Sequence, residues 1–204
     1  PIFSNVKNQF QAADWNAVLT RINASPTLSS QILQYEADMA AGKALAISVH
    51  DLPYGAEYKA RAGSPDALEI GTGRFESANE FVGVLAHEFG HYVGKAADAA
   101  SLSVAWAKTY ATKDPVYVQM DCIGNEGGAF YNNIQVGREI RDATGIEINT
   151  IGQRAGDNLE ALSNVQYDAF IATGSTPEAA SLATLYFLGS YNAAVNTVSI
   201  ESDR

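Results

Sequence analysis

Two histidines four residues apart, in His87-Glu88-Phe89-Gly90-His91, are the residues of this chain best placed to do chemistry. On a helix with 3.6 residues per turn both imidazoles project from one face, one above the other. Two imidazoles so placed can bind one zinc ion at about 2.0–2.1 Å each. Glu88 lies next to the first of them, on the flank of the same face. A carboxylate there can take a proton from a water on the metal. Zinc lowers the pKa of such a water to about 7, so little work is left for the glutamate. Peptide hydrolysis needs this nucleophile and a polarised carbonyl, and one site supplies both. The competing reading is a chance match on a buried helix face. Against it, the chain has three histidines and two of them sit in the motif.

A catalytic zinc site takes three protein ligands and keeps one position for water. Three residues compete to be the third. Glu126 lies in Asn125-Glu126-Gly127-Gly128-Ala129, inside a predicted helix. Two glycines in a helix interior cost about 1 kcal/mol each against alanine. That cost points to a close approach, with the motif helix as the obvious neighbour. Asp98 is the second competitor. The run from His87 through Gly94 begins the pattern HExxHxxGxxH, whose third ligand would fall on Ala97, one residue before Asp98. Met120 could mimic the methionine turn of that pattern. His50, at the end of a predicted strand, is the third, either as a ligand or as a hydrogen-bond donor to substrate.

Stabilising a tetrahedral oxyanion usually calls for a Tyr, His or Arg opposite the base. His50, Tyr92, Tyr131 and Arg138 qualify, and nothing in the sequence selects among them. Asn133, seven residues beyond Glu126 and so on the same helix face, is either a residue that orients a ligand or a surface amide. Cys122 reads as a buried, inert thiol.

The elements that must position these groups are mostly helices. Residues 5–22 have amphipathic spacing, and Ser25-Pro26 is a cap followed by a first-turn proline that opens a helix to about Met39. Strands are expected at 43–50, 57–62 and 67–70. Ser77-Ala78-Asn79-Glu80 fits a capping box and starts the motif helix, expected to end at Gly94. Further helices are expected at about 98–112, 116–142, 157–172 and 177–194. In the last, Leu182, Leu185, Tyr186, Phe187 and Tyr191 read as core. The fold class is therefore α+β, mainly helical, with a small sheet between residues 43 and 71. No repeat or low-complexity linker interrupts it, so one domain over 1–204 is expected. Its parts are N-terminal helices (1–42), a catalytic core (43–142) and C-terminal helices (143–204).

Composition narrows the partners. The 204 residues carry a formal net charge of −10, which disfavours phosphate backbones and anionic membranes. Hydrophobic residues make up 47%, enough for a buried core. With Cys122 as the single cysteine, no internal disulfide forms and cysteine-rich zinc sites are excluded. The start, Pro1-Ile2-Phe3-Ser4-Asn5, lacks the pattern of a signal peptide, and no apolar stretch is long enough to span a bilayer.

The segment from Phe75 through Gly94 (FESANEFVGVLAHEFGHYVG), taken with NEGGAFYNN, resembles gluzincin metallopeptidases. With the trailing Arg138-Glu139-Ile140 it resembles, more specifically, the metallopeptidase toxin domains of bacterial type VI secretion spike proteins and other polymorphic effectors. The resemblance covers about residues 67–142. It implies a zincin-like fold, zinc as cofactor, His87, His91 and Glu126 as ligands, and Glu88 as base. The 34 residues between His91 and Glu126 exceed the spacing of familiar gluzincins, and the helix at 98–112 would be an insertion. Zincins bind a peptide along an edge strand above the active helix, here expected at Ala67 to Thr72. The resemblance also implies a secreted effector, acting in a target cell's periplasm, with a protein or peptide substrate and an immunity protein as partner. A cell-wall peptide amidase and a non-catalytic zinc-containing binding module are the alternatives, and only the enzymes have a use for Glu88.

Overall fold

The computed structural model describes residues 2–184 other than 53, 54, 61, 62, 74, 76, 150–156 and 178, with the side chains at 119, 120, 122, 123 and 157–163 also left aside. Cys122 and Met120 as side chains, Pro1, and the C-terminal residues Leu185, Tyr186, Phe187 and Tyr191 therefore lie outside the described residues.

The N-terminal segment forms two helices, α1 (Ala12–Ala24) and α2 (Pro26–Ala40). Ser25 separates them because its hydroxyl caps α2, accepting from the Leu28 amide at 3.0 Å, with Pro26 in the first turn. A three-stranded sheet follows, made of β1 (Ser48–His50), β2 (Ala56–Lys59) and β3 (Ala67–Gly71). The strand order is β1-β3-β2. β3 pairs parallel with β1, Val49 opposite Ile70, and antiparallel with β2, Tyr58 opposite Leu68. The strand expected to be the free edge above the motif helix is thus the central one. The longer β1 expected from residue 43 is reduced to a single bridge at Ala44 with Asp66 before the strand proper.

The motif helix, α3, runs without a break from Ala78 to Thr112. Ser77 caps it, accepting from the Glu80 amide at 3.2 Å. The expected stop at Gly94 does not occur, so residues 98–112, expected as a separate helix, are the second half of the motif helix. A lone glycine weakens a helix by about 1 kcal/mol but leaves its hydrogen bonds intact. The real stop is Lys113, in the left-handed region at φ 62°, just ahead of Pro115. There the chain turns into α4 (Val116–Thr144), which ends on Gly145 at φ 71°. α5 (Asp157–Ala172) follows, and residues 179–184 are again helical. No described helix is long and apolar enough to cross a membrane.

The architecture is mainly helical α+β. One core joins α1, α2, the sheet, the first half of α3 and the end of α4, through Trp15, Leu28, Tyr35, Leu68, Phe89 and Ile140 among others. A second, smaller cluster packs Phe130 and Ile134 of α4 against Tyr167 of α5 and Ala180.

Candidate metal centre

His87 and His91 share one face of α3, their rings 4.9 Å apart and nearly perpendicular. Glu126 reaches them from α4. Its Oε2 lies 3.2 Å from Nε2 of His87 and its Oε1 lies 3.5 Å from Nε2 of His91. All three donor groups fall within 4.8 Å of one another, and they form the metal-ligand cluster found among the described residues. A tetrahedral zinc ion with bonds of about 2.0–2.1 Å needs donors separated by about 3.3 Å. The two separations, each to a different carboxylate oxygen, lie close to that figure. Two imidazoles and one carboxylate are also a donor set suited to zinc, so the residues fit the ion.

The helices come together here because of Gly90. A Cβ at that position would stand 2.5 Å from Cα of Ala129 and 3.0 Å from its carbonyl oxygen. The close approach expected at Gly127-Gly128 is therefore made by the pair Gly90–Ala129. Gly127 faces Leu182 instead, and a Cβ on Gly128 would meet nothing within 4 Å. Two amides fasten the crossing. Asn132 Nδ2 donates to the Ala86 carbonyl at 2.6 Å, and Asn133 Nδ2 donates to the Gly83 carbonyl at 2.8 Å. Gln31 of α2 in turn donates to Asn132 Oδ1 at 2.6 Å. Asn133, fully buried, is thus tied to the active helix and is not a surface amide. It holds a helix in place, whereas none of the three candidate ligands receives its hydrogen bond.

Glu88 is buried at 7% exposure and accepts a hydrogen bond from the Tyr58 amide of β2 at 2.7 Å. Burial pushes its carboxyl up from the ordinary glutamate range, opposed by His87, His91 and the Tyr58 amide. Glu126 is held far below that range by hydrogen bonds from His87 and His91. Burial pushes His91 down, but the hydrogen bond and charge of Glu126 prevail and raise it. An open cleft of about 610 Å³ lies over these groups. β2 forms one wall through Ala56 and Tyr58, with Ala60 just past its end, α3 forms the floor, and Asn125 and Glu126 of α4 stand opposite.

The other sequence-predicted residues lie elsewhere. His50 is exposed in β1, with its Nε2 2.9 Å from the Ser48 hydroxyl. Tyr131 packs against the second apolar cluster. Arg138 pairs with Asp168 at 2.6 Å, over the ring of Tyr167. Tyr92 is buried and donates to Asp38 at 2.8 Å. None of the four lines the cleft. Asp98 does line it but stands outside the ligand cluster. Sequence reasoning passed over the Tyr58 amide, Lys95 and Asn132. A backbone donor leaves no residue-type signal, but Asn132 was legible as a second asparagine on the inner side of the glutamate helix.

Comparisons of the chain with protein-family models, with curated proteins and with solved structures found no match.

Proposed function

We propose that this chain is a zinc-dependent metallopeptidase of the glutamate-ligand type, with a zincin-like core. The observation that carries the reading is the convergence of His87, His91 and Glu126 at zinc-ligand spacing beside a buried glutamate in an open cleft. Zinc held by these three would act as a Lewis acid, acidifying a water and polarising the scissile carbonyl. Glu88 supplies the proton traffic. The Tyr58 amide holds its Oε2, which leaves Oε1 to take a proton from the attacking water. The same carboxyl then returns that proton to the amine nitrogen as the peptide bond breaks. β2 is the strand at the free edge of the sheet beside the cleft, so it takes the role expected of Ala67 to Thr72. An extended peptide laid along it would pair with the outward main chain of Ala56 and with the Tyr58 carbonyl, the Tyr58 amide being held by Glu88.

Zinc content per chain, measured on wild type and Glu126→Ala in parallel, tests the site. One zinc in wild type and almost none in the variant is the expected result. Full occupancy in both removes Glu126 from the ligands, and no zinc in either overturns the reading.

The resemblance of the motif segments leads us to propose further that the peptidase is a secreted bacterial effector. Expression directed to the periplasm of a bacterium should arrest growth, and Glu88→Gln should relieve it. Equal toxicity of the two proteins would remove peptidase action as the cause.

A further inference from the structure

Past His91 the same side of α3 continues along the cleft with Lys95, Asp98, Ala99 and Leu102. Lys95 is the one lysine or arginine among the described residues lining the cleft, and it is already committed. Its ammonium pairs with Asp66, lies 3.8 Å from Asp38 and sits over the ring of Tyr92. Two carboxylates thus face one ammonium, and Lys95 adds no net positive charge to the cleft.

Asp98 is placed differently. Its carboxylate folds back over Gly94, where a Cβ would stand 3.2 Å from Oδ2. A side chain at 94 would crowd the carboxylate where it lies. Asn125 of α4, in the amide orientation that satisfies both neighbours, donates to Oδ1 at 3.2 Å and to the Asp121 carbonyl at 3.1 Å. The charges acting on Asp98 are those of His91, Asp121 and Glu126, two of them negative. Next to it Ala99 and Leu102 give the floor an apolar strip, and Glu57 stands on the β2 wall. An apolar strip ending at an oriented carboxylate matches a long aliphatic stem with a cationic head.

We propose that the cleft selects peptides carrying lysine or arginine beside the scissile bond, the stem lying along Ala99 and Leu102 and the charge meeting Asp98. This rests on the peptidase reading above, and the test separates the two.

Zinc-loaded Glu88→Gln protein is titrated with fluorescent peptides that differ only at one central position: Lys, Arg, Ala or Glu. Lysine and arginine peptides should bind about 5–10-fold more tightly than the alanine peptide, with the glutamate peptide weakest. Adding Asp98→Asn, which keeps the shape, should cut that advantage to about twofold or less while leaving the alanine peptide unchanged. Equal affinity for lysine and alanine peptides overturns the inference. So does a lysine advantage that survives Asp98→Asn, and so does binding of no peptide at all. Cleavage by wild type is then scored separately. Cleavage without charge preference overturns only the inference. Charge-selective binding without cleavage supports the inference and sinks the peptidase reading.

Discussion

Between Ala78 and Tyr92, α3 is largely buried; from Val93 to Thr112 its one buried side chain is Ala105. The first stretch packs into the main core through Phe81, Leu85 and Phe89. The second shows Val104, Trp106 and Tyr110 to solvent. His87 and His91 stand where one regime gives way to the other. A metal centre needs donors held to a fraction of an ångström, which the packed half supplies. A substrate cleft needs an open floor, which the other half supplies. One continuous helix meets both needs because its backbone transmits position while its side chains change environment.

The largest effect that sharpens this contrast lies in the buried half. Glu88→Gln should lower kcat/KM on peptides by about a hundredfold to ten-thousandfold, the usual share of a general base. Zinc content should stay unchanged, since Glu88 is outside the ligand cluster. Zinc lost together with activity would show that the residue organises the site and does not act as its base.

Gly90→Ala comes next. Its new Cβ would overlap Ala129 backbone at 2.5 Å, and backbone cannot swing aside. Overpacking of this kind costs roughly 1–3 kcal/mol, read as a lower Tm. Zinc affinity should fall with it, because Glu126 rides on the helix that must retreat. Asn132→Ala should be milder, at about 1–2 kcal/mol for the lost bonds to Ala86 and Gln31. A loss of zinc affinity of about tenfold would accompany it if the crossing sets the position of Glu126. An unchanged zinc affinity in both variants would break the link between the packed crossing and the metal donors.

The buried half is also where the sequence was most legible. The motif spacing, the Ser77 cap and the apolar run of Phe81, Val84 and Leu85 each state their role in residue types alone. The approach of Glu126 to the motif histidines was legible too, since its region combines a carboxylate with small residues, although the glycines that drew attention are not the ones against α3. The pairing of strands was not legible. Three short segments of similar apolarity carry no mark of which lies in the middle, and β3 takes that place through long-range pairing. The continuity of α3 was missed for a related reason. Gly94 reads as a stop, yet nothing downstream supplies the cap or proline that would end a helix before Lys113. His50, Tyr92, Tyr131 and Arg138 do not line the cleft, because residue type says nothing of which way the face of a helix or strand turns.

A pH effect of intermediate size belongs to the buried side, where α2 and α4 meet. Burial alone would push Glu139 up, but it accepts from the hydroxyls of Ser25 and Thr27 and from the Thr27 amide, and these hold it below the ordinary glutamate value. A carboxyl lowered in the folded state stabilises the fold above its unfolded pKa. That contribution is lost as the pH falls through the folded value. Glu139→Gln should therefore be less stable than wild type near neutral pH. The gap in Tm should narrow as the pH is lowered through the glutamate range, and a gap constant across that range would refute the assignment.

The smallest expected effect is on the exposed half of α3. Tyr110 is 67% exposed and stacks on Trp106, with ring centroids 5.5 Å apart. Water covers most of its surface in the folded chain as in the unfolded one, so its burial contributes little. Tyr110→Ala should change stability by no more than about 0.5 kcal/mol and leave zinc content untouched. Chemical denaturation of the two proteins side by side measures this. A loss as large as that of Gly90→Ala would mean that this face is covered in the folded protein, and the division of α3 into a packed half and an open half would fall.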